Sequence, residues 1–381
     1  MNLTFATSLL FAFSAATAFA AEVRVRDAGE FRAAVVAAKP GTRILLAPGN
    51  YGGGHHFVEL RGEPNRPIII AAADPKQPPV FSDRAVGIQL SRPMHVELHG
   101  LAFTRLSGNG LNIDNGGKFD EGACHIVLQG LRVSDIGGRR NEDGIKLSGI
   151  SDFRVADCIV ERWGAGGGSG IDMVGCHRGV IEGNIFRHTD PPNAGGVQAK
   201  GGSSDIVIRS NTFENPGGRG VNIGGSTGHQ FFRPPLKEGG GNAEARNIRV
   251  EGNRFIGGWA PVAFVGVDGA VVRFNTFERP ARWVVRILQE TQAPGFVPSR
   301  NGEFTDNVIA FESGRWSEGG VNVGGGTAPE TFKFARNWWY CSDRPERSRP
   351  KLPVAETDGV YGRPVAEAKG KAGADAFPGA K

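Results

Sequence analysis

Little in this chain supplies a covalent or membrane framework. Only four cysteines occur in 381 residues, and they do not define a disulfide pattern. Aligning the repeats described below sets Cys124 beside Ser151 and His177, about two rungs from Cys176. At about 4.8 Å per rung that exceeds disulfide reach, so free thiols are expected. Beyond the first twenty residues no apolar run is long enough to span a membrane. There is no basic helix and no stacked-aromatic motif, so neither a membrane surface nor nucleic acid is an expected partner. The glycine-rich stretch Gly164–Gly170 has no dinucleotide-fold context. His55-His56 lacks a third ligand for a metal.

What the chain has in quantity is repetition. Gly110-Leu111-Asn112-Ile113, Gly144-Ile145-Lys146-Leu147, Gly170-Ile171-Asp172-Met173, Gly196-Val197-Gln198-Ala199 and Gly220-Val221-Asn222-Ile223 share one pattern. Pro261-Val262-Ala263-Phe264, Val284-Val285-Arg286-Ile287 and Gly320-Val321-Asn322-Val323 continue it. Side chains alternate across a strand, so the apolar second and fourth residues face a core and the third faces outward. A second motif runs in phase: asparagine before an apolar pair at Asn184, Asn211, Asn253, Asn275, Asn307 and Asn337, with Leu101, Leu131 and Cys158 earlier in the same slot. The spacings are 30, 27, 26, 27, 42, 22, 32 and 30 residues. Strand-rich self-similarity of this period predicts a single all-β solenoid, a right-handed parallel β-helix of about ten coils with the asparagines stacked in its turns. Leucine-rich repeats do not fit, because their leucine spacing is missing.

The ends differ from the middle. Met1–Ala20 carries no charged side chain and closes on Ala18-Phe19-Ala20, a small-x-small pattern that predicts a cleaved export signal and a secreted or periplasmic location. Asp27–Ala38 predicts a short helix, with Phe31, Val35 and Val36 apolar, that covers the open end of the solenoid. The solenoid is expected over residues 21–340, and residues 341–381 as an irregular cap running into a partly disordered tail. Ser226–Ala245 is an insertion behind the 42-residue spacing, and Leu288–Arg300 a second long loop. The net charge of +5 suits an acidic polysaccharide as partner, and the chain is expected to act as a monomer.

Taken together, the export signal, helix cap, asparagine ladder and coil length resemble the pectate-lyase-like β-helix superfamily over roughly Glu22–Tyr340. Within it, Gly196-Val197-Gln198-Ala199-Lys200 followed by Asn211-Thr212-Phe213 is similar to the chondroitinase B and alginate lyase family around its catalytic lysine. That resemblance implies Lys200 as the base and calcium as a cofactor. Its glutamate ligands would fall at Asn193 and Gly195, and its arginine at Ile223, with Arg219 nearby, so no calcium ligand set is identified. Asn141-Glu142-Asp143-Gly144 looks like the polygalacturonase Asn-x-Asp-Gly signature, but of the partners only Asp172 is present. The pectate lyase arginine-proline-arginine signature is absent.

The outward row gives the candidate residues. Elimination from a uronic acid needs a base at C5, cations against the developing anion and a donor for the leaving oxygen. Lys200, Lys146 and Arg219 are the catalytic candidates: either lysine as base, Arg219 to neutralise charge. Asp172, Gln198, Asn222, Arg286, Phe231, Phe232 and Arg233 are expected to contact substrate, the phenylalanines by stacking on sugar rings. The expected function is therefore an enzyme that cleaves a uronate-containing polysaccharide by β-elimination. The alternatives are a hydrolase using Asp143 and Asp172, and a non-catalytic glycan-binding or structural β-helix.

Overall fold

In the computed structural model, which describes residues 21–119, 122–316 and 318–368, the repeats form three parallel sheets. The first has twelve strands, from Ala21–Val25 to Lys333–Ala335; the second eleven, from Val80–Ser82 to Val360–Tyr361; the third ten, from His55–Val58 to Val321–Val323. From Ile68–Ala72 to Val321–Val323 each coil contributes one strand to each sheet, and the strands of successive coils pair in parallel. In the third sheet Lys146 pairs with Asp172, Asp172 with Gln198, and Gln198 with Asn222. This is a parallel β-helix, as the repeats predict. The expected export signal over Met1–Ala20 and the residues after 368 lie outside the described residues.

The interior is built from the alternate apolar residues of all three sheets. In the second sheet Phe186, Phe213, Phe255 and Phe277 stack one per coil, with centroids 4.9, 4.6 and 5.0 Å apart, and Phe304 of the first sheet continues the stack at 5.6 Å. Beside this stack runs the asparagine ladder. Each Asn Oδ1 from Asn211 to Asn337 accepts from the backbone and side-chain N–H of the asparagine one coil earlier, at 2.9–3.0 Å, and Asn184 Oδ1 accepts from Cys158 N–H. Burying an amide is tolerable only when its donors and acceptors are met, and identical side chains in identical slots meet one another's. Glu356 terminates the ladder by accepting from Asn337 Nδ2 at 2.7 Å.

A helix at Ala28–Val36 covers the first coil. Asp27 caps it by accepting from Gly29 and Glu30 N–H, and Phe31 and Val35 are buried. Val36, expected on the apolar face, is instead 74 % exposed. His55 packs edge-on to Phe31 and hydrogen bonds to Tyr51 O at 2.9 Å. All four cysteines are free thiols. Among the described residues no helix is long and apolar enough to cross a membrane.

Candidate active site

The outward face of the third sheet carries the polar row, and the two long loops rise beside it. At its centre is an ionic chain on adjacent rungs. Lys146 Nζ contacts an Asp172 carboxylate oxygen and lies 3.3 Å from Asp143 Oδ2. Lys200 Nζ lies 3.5 Å from the other Asp172 oxygen and donates to Gln198 Oε1 at 3.2 Å. Asp143 also accepts from Ser169 N–H at 2.8 Å.

One ammonium is thus shared by two buried carboxylates, and the consequences for the partners are unequal. Burial opposes the charge on Lys146, but Asp172 and Asp143 outweigh it and hold the lysine pKa above its ordinary value. Asp143 does not gain to match: burial first, then the charge of Asp172, pushes it from 3.8 up to about 7. Lys146 is therefore locked as an ammonium, which corrects its expected role as a base. Asp172 is corrected as well. It is 3 % exposed and serves to hold two lysines rather than to meet a substrate.

A raised carboxyl pKa has a stability consequence of definite sign. Folded Asp143 keeps its proton up to about pH 7, whereas the unfolded group releases it near 3.8. Its contribution is present at about pH 4 and is lost as the pH rises through 7. Thermal melts from pH 4 to pH 8 should fall more steeply for the native protein than for Asp143→Asn. Parallel curves would remove the assignment.

Two cavities lie on this face. The first, about 380 Å³, is lined by Lys146, Lys200, Asn115, Thr227, Phe231 and Arg233 among others. The insertion forms one side of it, through Ser226, Thr227, Gly228, Phe231 and Arg233. Phe231 is 54 % exposed there, but Phe232 is buried against Phe296, which corrects its expected stacking role. Arg233 is held by backbone carbonyls: its Nη1 donates to Gln230 O and Phe232 O at 3.0 Å, and its Nη2 to Gly117 O at 3.1 Å. Among the described residues no carboxylate pairs with it, and its Nε is buried without a partner.

The second cavity, about 420 Å³, contains Gln198, Arg219, Asn222 and Arg286. Arg219 donates to Asn222 Oδ1 at 3.2 Å and to Glu290 Oε1 at 2.5 Å. It does not share a cavity with Lys200, so its expected pairing with that base is corrected; the arginine beside Lys200 is Arg233. Arg286 contacts Asn322 and packs 4.5 Å from the Trp283 ring centre, with Arg282 at 4.1 Å from the same ring. Between the cavities stands the Gln198–Lys200 pair. Gly225 allows this close approach, since a Cβ there would meet Gln198 Nε2 at 2.5 Å.

Sequence reasoning missed Trp259, Arg282 and Trp283 in the second cavity, and Asn115 and Thr227 in the first. A signal existed for the tryptophans, which sit in the turns just before the strands Val262–Val265 and Val285–Leu288. The positions at which the resemblance places calcium-binding glutamates, Asn193 and Gly195, both line the second cavity without a carboxylate. Gly195 pairs in register with Arg219, so a cation of the protein lies on the adjoining rung. These residues do not fit a calcium ion.

The family profile described as right handed beta helix region matches residues 80–233. An alginate lyase from Paenibacillus sp. str. FPU-7 superposes with a TM-score of 0.51 at 21 % identity, over 79 % of this chain and 99 % of that one. The A-module of a mannuronan C-5 epimerase from Azotobacter vinelandii gives 0.53 at 12 %, over 88 % and 95 % of the two chains. A mannuronic acid specific polysaccharide family 6 lyase from human gut microbiota gives 0.50 at 15 %, over 91 % and 93 %. No curated protein matches the sequence. Identities this low speak to fold and not to chemistry. The chain is a right-handed parallel β-helix, a fold it shares with these lyases and this epimerase.

Proposed function

We propose that this protein is an exported enzyme that cleaves a uronate-containing polysaccharide by β-elimination, working as a single chain. The observation that carries the reading is the first cavity. It gathers Lys146, Lys200 and Arg233, which has no carboxylate partner among the described residues, beside an exposed phenyl ring. A guanidinium held rigid by backbone carbonyls suits a substrate carboxylate, and the ring suits a sugar face.

In this reading Lys200 takes the proton at C5. The electron pair forms the C4–C5 double bond, the C4–O bond breaks, and the departing oxygen takes a proton from solvent while Lys146 stays an ammonium beside the developing charge. Gln198 and Asp172 account for two of the three Lys200 nitrogen positions, leaving one for the transferred proton. Arg233 neutralises the charge that develops on the substrate carboxylate. The second cavity, with Arg286 and Trp283, then binds the neighbouring sugar residues.

The test is a panel of pectate, alginate, glycosaminoglycans and ulvan. Ultraviolet absorbance from unsaturated ends supports the lyase. Reducing ends without that absorbance favour the hydrolase alternative, which the raised pKa of Asp143 would serve as an acid. Neither signal, with retained binding, favours a glycan-binding role. On the polymer that is cleaved, Arg286→Ala should raise KM about tenfold, equivalent to about 1.4 kcal/mol, with kcat nearly unchanged. An unaltered KM would remove Arg286 from the binding surface.

A further inference from the structure

Glu244 lies immediately before the strand Ala245–Glu251, is 0 % exposed, and takes no part in the chemistry proposed above. Among the described residues no lysine, arginine or histidine pairs with it. A buried carboxylate without a counter-ion is costly unless hydrogen bonds replace its water. Glu244 has four. Its Oε2 accepts from Gly201 N–H at 2.9 Å and from the Thr227 hydroxyl at 2.7 Å. Its Oε1 accepts from Thr227 N–H at 3.0 Å and from the Thr291 hydroxyl at 2.6 Å.

These donors come from three separate segments: the turn after the strand Gly195–Lys200, the large insertion and the second long loop. Two of them adjoin residues of the candidate site. Gly201 follows Lys200. Thr291 follows Glu290, which holds Arg219 at 2.5 Å. The third, Thr227, begins the wall that ends at Phe231 and Arg233 and itself lines the first cavity. A single side chain therefore ties the Lys200 turn, the wall of the first cavity and the loop that anchors Arg219 in the second.

We infer that Glu244 is a positioning residue that locks both loops and the Lys200 turn into one unit, fixing the two cavities relative to each other. The inference rests on the proposed lyase reading only for its effect on turnover; the mechanical coupling stands apart from it. A carboxylate is required because all four contacts are donated to it. Glutamine offers one acceptor oxygen and turns an N–H₂ towards at least one of those donors.

The test is hydrogen exchange on the whole protein, alongside kinetics on the polymer cleaved in the panel. Glu244→Gln should speed exchange in residues 226–243 and in 289–299 together, by about tenfold or more, while the solenoid strands stay protected. It should also lower kcat at least about tenfold and raise KM, since Lys200 and Arg219 are both displaced. Thr291→Val removes one hydroxyl and tests the coupling more gently. It should loosen residues 226–243 as well as its own loop. Loosening confined to 289–299 would overturn the unit, and an unchanged kcat in Glu244→Gln despite faster exchange would overturn the positioning role. If no polymer is turned over, the lyase reading fails, and joint or separate loosening of the loops still decides the coupling.

Discussion

Replacing Lys200 with alanine is expected to lower turnover by at least about 10³-fold, the usual range for loss of a positioned base, and to leave the melting temperature almost unchanged. Its side chain lies on the outer face of the third sheet, so the core keeps its packing. Removing the side chain also leaves Asp172 with Lys146, its closer partner. Lys200→Arg should be as inactive as the alanine variant, because a guanidinium keeps its charge and does not release a proton near neutral pH. Activity near the native level in Lys200→Ala would end its role as base. With Lys146 locked as an ammonium, the task would then pass to Asp143, whose pKa of about 7 suits proton transfer.

The largest expected loss of stability is at the ladder. Asn253→Ala removes two acceptor contacts from Asn211, at 2.9 and 3.0 Å, and two donor contacts, to Ile208 O at 2.8 Å and Asn275 Oδ1 at 3.0 Å. Orphaned buried donors and acceptors cost about 1–3 kcal/mol each, and two or more remain unmet, so the variant should lose at least about 3 kcal/mol. Phe255→Ala, which opens a gap between Phe213 and Phe277, should lose about 3–5 kcal/mol. Denaturant titration measures both. A loss under about 1 kcal/mol at Asn253 would show that the ladder is incidental to stability.

The architecture could be read from the chain because it is periodic. Apolar alternation identified the strands, and the Asn184 to Asn337 slots set the coil register that the structure repeats. The row from Asn112 to Asn322 was legible for the same reason, since strand geometry alone decides which way a third residue faces. What could not be read was the role of each residue within that row. Whether Lys146 is a base or a trapped ammonium depends on Asp143, which stands in the preceding turn, and on burial by neighbouring coils. Phe231 and Phe232 are adjacent and chemically identical, yet one is exposed and the other buried, a difference set by how the insertion folds back. Arg219 and Lys200 are close by rung count, but the Gln198–Lys200 pair stands between their cavities. Glu244 left no signal at all, because its partners are loop residues brought together only by the fold.

The corners of the solenoid are unequal, and that bears on how its surface can be re-engineered. From Gly100–Leu101 to Arg336–Asn337, the link between the first and second sheets is two residues at every coil. The link between the third and first sheets is a single residue at Gly149 and Gly266, but runs over residues 225–244 and 289–299 elsewhere. Chain length is thus fixed where the ladder must stack and unconstrained where the cavities are walled. Foreign segments grafted between Gly228 and Asn242 would leave the stacked scaffold untouched, provided that Thr227 and Glu244 are kept as their anchors. New recognition surfaces could be installed on this frame one corner at a time.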